Sequence, residues 1–359
     1  MKPAIEQRLK DLFDGEIRYR GIEGGDGYAV GTTQGPVRSE NQDRAFVAHI
    51  VQGGDKPREL LIGAIFDGMG GMREGGSAAS SAAASFLATV ATVEGPVAAR
   101  LEAGAQSANA GVFAELEGRG GTTLTAVAFA DPKIAHVIHV GDSRLYRSGE
   151  PTELGLVTED QTIGGLVRGE AHQSDEDDLD NRLLQFVGIG EELQPSLQKV
   201  SDDDSSTWLL TTDGAHAFGR RNLLGVLRGH FTCHSIARQM IAGADAFGTD
   251  DNATVIALRP SEFRSRPQRF DGTTIAVWTS FANLELWLEP GPRVPIRPAP
   301  ENPPAPPVDT LKSTPPKRAA RAKSGRRARN KPTETPVTKA NPDLFKITFG
   351  DAVGEEHDD

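Results

Sequence analysis

The sequence holds a single cysteine, Cys233, so no disulfide can form within the chain and a reducing compartment is the expected setting. Long apolar runs are missing as well. A membrane-spanning helix needs about 20 predominantly apolar residues. The nearest approach, Ser77–Val93, is an Ala-rich run broken by Ser and Thr, and it reads as a helix in water. Met1–Glu16 scatters charges among its apolar residues and lacks the continuous apolar core of a secretory signal. The expectation is a cytoplasmic chain without a membrane span. No internal repeat is present.

Apolar residues make up only 37% of the 359 residues, and the deficit lies after about residue 290. From Pro290 to Pro342 the chain is rich in Pro, Lys, Arg and Ala. Such a composition buries too little apolar surface to offset the entropy of ordering. Acids are absent from Thr310–Lys331, which holds nine Lys or Arg, whereas Gly350–Asp359 holds five acids. The net charge is −11, so the body ahead of the basic run is strongly acidic. An acidic body suits the capture of cations. It does not suit a grip on nucleic acid, whose phosphate contacts need Lys and Arg, and nucleic acid is not an expected partner.

What is there follows a clear order. Tyr28–Thr33, Arg44–Val51 and Glu59–Phe66 read as strands, and the Ala- and Leu-rich runs Gly75–Val93 and Val97–Glu117 as helices. Thr122–Ala130, Ile134–Val140, Ser143–Arg147 and Thr207–Thr212 are strand-like. Arg221–Arg228 and Ser235–Phe247 are helical, and Ala253–Arg259 closes the series as a strand. Strict alternation of strand and helix is lacking, which favours antiparallel sheets covered by helices. Thr158–Asp180 is polar, with acids at Asp175, Glu176, Asp177, Asp178 and Asp180, and reads as a flap. Residues 1–25 thus form an N-terminal polar segment of short helix and Gly-rich linker. Residues 26–260 form the main domain, 261–290 one further hairpin, and 291–359 a disordered tail with a short apolar motif at 343–349.

Four short motifs set an Asp beside Gly or Asn at a strand end: Asn41-Gln42-Asp43, Asp67-Gly68-Met69-Gly70-Gly71, Asp213-Gly214, and Asp250-Asp251-Asn252-Ala253-Thr254. One such pair is an ordinary turn. Four of them, each adjoining a strand, can bring carboxylates together at one edge of a sheet. Hard divalent cations prefer oxygen ligands of this kind, and glycine lets the backbone turn sharply and a carbonyl approach an ion.

These motifs, in this order, resemble those of the bacterial metal-dependent (type 2C-like, PPM) protein serine/threonine phosphatases. Gly35–Asp43 is similar to the family's opening Arg…Asn-(Glu/Gln)-Asp motif, and Asp67–Gly71 to its Asp-Gly-(His/Met)-Gly-Gly. Gly121-Thr122-Thr123, Val140–Arg144, Asn181–Leu184, Leu209–Gly214 and Asp251–Thr254 resemble the internal and closing motifs. The resemblance covers about Tyr28 to Arg259. It implies an α+β fold, a four-layer αββα sandwich of two antiparallel sheets flanked by helices. It implies two Mn2+ or Mg2+ ions, with Asp67 bridging them, the Gly68 carbonyl on one, and Asp213 and Asp251 on the other. Asp43 would act directly or through water, and Asp142 matches the carboxylate of a third, weaker ion. Arg38 matches the phosphate-contacting arginine, a role that suits a guanidinium fork.

The implied reaction is attack on phosphorus by a metal-activated water, with no phospho-enzyme; Cys233 lies in no nucleophile motif. The implied substrate is a phosphorylated protein, the phosphatase opposing a Ser/Thr kinase. Met69 stands where many members have a proton-donating His, Gln42 replaces a frequent acid, and Gln161 stands where the family often has His. No role is read for Gln161. His230-x-x-Cys233-His234 reads as a helix start rather than a zinc site, and His136 and His139 as core or edge residues of a strand. Phe345, Ile347 and Phe349 alternate with polar residues, like one face of a strand. The tail could then dock a cognate kinase or another regulator. The alternative reading is a catalytically weak phosphoprotein-binding scaffold or adaptor of the same fold.

Overall fold

The structure is a computed structural model that describes residues 2–15, 18–53, 57–70, 74–149, 153–168, 182–191, 193–202, 206–217, 219–228, 232–264, 272–289 and 294–295. Two antiparallel sheets face each other. The first has the order β1 (Arg20–Gly25), β2 (Tyr28–Thr33), β14 (Ala253–Leu258), β13 (Thr207–Thr211), β10 (Arg144–Ser148) and β11 (Gly155–Leu156). The second has the order β12 (Ser196–Ser201), β9 (Ile134–Val140), β8 (Leu124–Asp131), β4 (Arg58–Phe66), β3 (Arg44–Gln52), β15 (Thr273–Trp278) and β16 (Asn283–Leu288). Two short pairs complete the strands: β5 (Gly68–Gly70) with β7 (Gly120–Thr122), and β6 (Val93–Glu94) with β17 (Val294–Pro295).

Side-chain alternation sorts the strands into layers. Ala45 and Val47 of β3 point to the core between the sheets, with Leu61, Ile65, Val127, Leu210, Ile256 and Trp208. Their neighbours Phe46, Ala48 and Ile50 point outward into a second core. That core is closed by helices α1 (Lys2–Phe13), α2 (Glu74–Thr92) and α3 (Val97–Leu116). On the far side Ala29, Val255 and Ala257 meet Ile236, Ala237, Met240 and Ile241 of α7 (Cys233–Phe247) and Leu223 and Leu227 of α6 (Arg220–Arg228). The order helices, sheet, sheet, helices is the four-layer αββα sandwich. Central strands covered on both faces explain why their sequences are continuous apolar runs rather than alternating ones.

The helices end where their chemistry requires. Gly104 on α3 lets α2 approach closely: a Cβ there would meet the Phe86 ring at 2.8 Å. Buried Arg100 donates to the Val90 carbonyl through Nε at 2.9 Å and Nη2 at 2.7 Å, satisfying a late carbonyl of α2. Thr232 caps α7 by accepting from the Ser235 N–H at 3.1 Å, and Gly248 ends it at φ 72°. Cys233 and His234 therefore open a helix, and His230 lies outside the described residues.

Three elements depart from the sequence reading. Arg20–Gly25, read as a linker, is strand β1, paired along its length with β2. Its glycines depress strand propensity, but Gly21 makes room for the Phe281 ring, which a Cβ would meet at 2.2 Å. Ser196–Ser201, left unassigned, is edge strand β12 on β9. The flap begins with a short helix, α4 (Ile163–Arg168), and its acids at 175–180 lie outside the described residues. Short α5 (Asp213–His216) follows β13. Apart from Val294–Pro295, the expected tail 291–359 and its apolar motif also lie outside them. No described helix is long and apolar enough to cross a membrane.

Gly21→Ala should lower the unfolding free energy by about 1–3 kcal/mol, because the methyl must displace the Phe281 ring and the Ser280 carbonyl. Denaturant midpoints would measure it, and an unchanged midpoint would show that the β1–hairpin contact bears no stability.

Candidate metal centre

The strand ends place the candidate carboxylates. Asp43 immediately precedes β3 and Asp67 follows β4; Asp213 follows β13, Asp251 leads into β14, and Asp142 sits in the turn from β9 to β10. Both sheets contribute, and all five positions fall at one end of the sandwich. A cleft of about 590 Å3 opens there, lined by Arg38, Asp67, Gly68, Asp142, Asp213 and Asp251, with Gln42, Met69, Thr123, Arg182, Leu183 and Phe186. Six of the seven sequence-derived candidates are therefore on its wall. The seventh, Asp43, stands behind it, 6% exposed, beside a smaller cavity of about 180 Å3. Its Oδ2 accepts from Thr254 Oγ1 at 2.7 Å and Thr212 Oγ1 at 3.0 Å.

The loops are held by their own motifs. Asn252 donates to the carbonyls of Gln34 at 2.8 Å and Glu40 at 3.0 Å and accepts from the Gln42 N–H at 2.8 Å. It thereby pins the Arg38 loop to the start of β14. Asn41 accepts from the Asp43 N–H at 3.0 Å and donates to Thr32 at 2.8 Å. Thr123 Oγ1 accepts from the Asp67 N–H at 2.9 Å, and Thr122 Oγ1 donates to the Asp67 carbonyl at 2.9 Å. The Gly121-Thr122-Thr123 motif thus serves as the mount of Asp67. Thr212 and Thr254 were not singled out from sequence, although both lie inside quoted motifs. Asn181 is outside the described residues. His139 is a core residue: Thr125 Oγ1 meets its Nδ1 at 2.9 Å, its Nε2 meets the Glu159 carbonyl at 2.9 Å, and burial lowers its pKa to about 4.

Crowding and burial work against ionisation. Asp43 is raised to about 7, first by burial and then by Asp213 and Asp251, against the opposing pull of Thr254 and Thr212. Asp142 is raised to about 7 by burial, Asp213 and Asp160. Asp67 is pushed well above the carboxylate range by burial and by four neighbouring carboxylates. Asp213 is raised by burial and by Asp251, against the opposing pull of the Gly214 N–H, Asp67 and Arg38. Arg38 is the counter-charge: it pairs with Asp251, which holds it in the cationic form.

This donor set fits hard divalent cations. It consists of oxygens alone, half-buried for the most part and short of positive charge. A Cβ on Gly68 would meet the Gly75 carbonyl at 2.3 Å, so the backbone there has no space for a side chain. Among the described residues no three His, Cys, Asp or Glu side chains converge on one point. The protein donors explain this: Asp43 is turned to two threonines, Asp251 to Arg38, and Asp213 to the Gly214 N–H at 2.5 Å.

The raised carboxylates predict a pH dependence. Asp43 rises from an ordinary 3.8 to about 7, so between those values the folded chain holds protons that the unfolded chain has released. Stability is then lost as pH rises through that window. In chelator, the melting temperature should drop by about 5 °C or more between pH 5 and pH 8, and Mn2+ should restore it at pH 8 but not at pH 5. A chelator curve that rises with pH, or equal Mn2+ stabilisation at both values, would contradict this.

No protein-family model and no curated protein matches the chain; solved structures do. The Mycobacterium tuberculosis serine/threonine phosphatase PstP/Ppp is 26% identical, with a TM-score of 0.53 over 64% of this chain and 96% of that one. The PPM Ser-Thr phosphatase MsPP from Mycobacterium smegmatis, in complex with cacodylate, is 27% identical, with a TM-score of 0.54 over 66% and 98%. The catalytic domain of PstP in complex with two manganese ions is 25% identical, with a TM-score of 0.52 over 66% and 97%. The chain is therefore similar in three dimensions to solved bacterial serine/threonine phosphatases, a PPM phosphatase among them.

Proposed function

We propose that the chain hydrolyses phosphoserine and phosphothreonine in proteins at a dinuclear Mn2+ or Mg2+ site and so opposes a Ser/Thr kinase. The observation that carries this reading is the gathering of Asp67, Asp142, Asp213 and Asp251 on one cleft wall with Arg38 among them. Asp67 would bridge the two ions, the Gly68 carbonyl would serve one, and Asp213 and Asp251 the other. Asp43, shielded behind the wall, would reach an ion through a water, and Asp142 would hold a third. Such ions supply a deprotonated water and offset charge on the transferring phosphoryl group.

The chain's own groups supply the rest. Carboxylates that repel one another without cations bind cations the more strongly. Arg38, half-exposed at the cleft, offers a phosphate dianion a two-pronged donor. The same donors now serve Asp251, so substrate phosphate and Asp251 compete for them. Met69 has no proton to give, and the leaving alkoxide must take its proton from a group other than this side chain.

Asp67→Asn and Asp213→Asn should each reduce phosphopeptide hydrolysis at least about 100-fold while leaving the circular dichroism spectrum unchanged. Near wild-type turnover of Asp67→Asn at saturating Mn2+ would remove the dinuclear assignment.

The tail is proposed to hold a regulator or the cognate kinase near the cleft, raising its effective concentration. Removing residues 291–359 should leave aryl phosphate turnover within about twofold and slow action on the physiological phosphoprotein about tenfold or more. Equal slowing of both substrates would mean that the tail supports the catalytic domain instead.

A further inference from the structure

Gln161 lies at a junction between the root of the flap and the turn that carries Asp142. Its side-chain Oε1 accepts from the Gly141 N–H at 2.9 Å. Its own N–H donates to the Gly141 carbonyl at 2.8 Å, and its carbonyl accepts from the Leu184 N–H at 2.8 Å. One residue beyond the metal-site turn on one side, and one residue beyond the cleft-lining Arg182–Leu183 pair on the other, it holds both. The next link of the same ladder joins the Ile163 N–H to the Arg182 carbonyl at 3.1 Å.

The Gly141 turn needs such a hold. Gly141 is buried and sits at φ 106°, where a Cβ would strike Thr123 Cγ2 at 2.6 Å. Its N–H points into protein, and Gln161 Oε1 is its acceptor. A buried amide without an acceptor reorients or draws in water. Because Gly141 directly precedes Asp142, a rotation of that peptide carries the carboxylate with it. On the other flank the turn is fixed by Thr123 and Ser143, whose hydroxyls meet at 2.8 Å, and by Thr125, which donates to the Ser143 carbonyl at 3.0 Å. The Gln161 contact is the one made to Gly141 by a side chain from the flap root.

We infer that Gln161 is a positioning residue, whose amide oxygen sets the Asp142 carboxylate for a cation and couples it to the Arg182–Leu184 wall of the cleft. This rests on the proposed phosphatase reading and adds a residue to it. The backbone bonds survive any substitution, so the side chain's share is separable.

The test compares Gln161→Leu, which lacks an acceptor, with Gln161→Glu, which keeps one. In the full chain, free Mn2+ measured by electron paramagnetic resonance gives occupancy of each class of site. Gln161→Leu should weaken the weakest class about tenfold and leave the tighter classes unchanged; Gln161→Glu should restore it. In chelator, amide hydrogen exchange over residues 140–143 should quicken in Gln161→Leu alone. Asp142→Asn should abolish the weakest class, and adding Gln161→Leu to it should change phosphopeptide kcat/KM no further, since the two act through one group. Additive losses in the double variant, or a Gln161→Leu protein with wild-type Mn2+ binding and exchange, would overturn the inference and leave the phosphatase reading intact. A wild-type chain that binds no Mn2+ would overturn both.

Discussion

Carboxylates repel one another, and burial makes the repulsion stronger because little solvent screens it. This chain packs five of them at one end of a sandwich. Asp67 and Asp213 respond by a raised pKa, Asp251 by pairing with Arg38, and Asp43 by taking two threonine hydroxyls. A stable protein does not assemble such a cluster for stability; the same arrangement with hydrophobic groups would fold better. The proposed cations would offset that cost. The sandwich is rigid enough to hold the charges together because its strands are covered on both faces and its loops are locked by Asn41, Asn252 and Thr123.

The glycines of the motifs serve packing at the site more than flexibility. Gly68 and Gly75 meet backbone to backbone, and Gly141 lies against Thr123. Each contact excludes a side chain and so fixes the distance between a loop and its neighbour. Substituting either partner would move a carboxylate rather than merely loosen a turn.

Much of this was legible in sequence. Largely apolar runs such as Glu59–Phe66 and Ala253–Arg259 coincide with strands because those strands are covered on both faces. The Asp motifs were legible because each sets an Asp beside a turn residue at a strand end, where residue type is restricted. Strand β1 was hidden: Arg20-Gly21-Ile22-Glu23-Gly24-Gly25 has poor intrinsic propensity, and its pairing with β2 and its fit to Phe281 are long-range facts. Strand β12 is half polar because it lies at an edge. Asp43's position behind the cleft wall was equally hidden, since the threonines that hold it come from two distant strand ends.

Asp43 also shows that the site extends past the segment bearing the motifs. Arg44, its neighbour, donates from Nη1 to the carbonyls of Asn41 and Asp43 at 2.9 Å. From Nε the same guanidinium reaches the Phe13 carbonyl at the end of α1, and Ser80 of α2, both at 2.8 Å. Helix α1 is in turn fixed by Ile5, Leu9 and Phe13 in the helix-side core, and by Lys10, which reaches Ser81 at 2.6 Å and Glu115 at 2.9 Å. A single half-buried cation therefore joins the end of an N-terminal helix to the loop that presents Asp43. Five donors in a fixed plane make arginine able to serve four acceptors from three elements at once, which lysine could not do. The geometry of this carboxylate is set partly by residues that lie outside the Asp motifs.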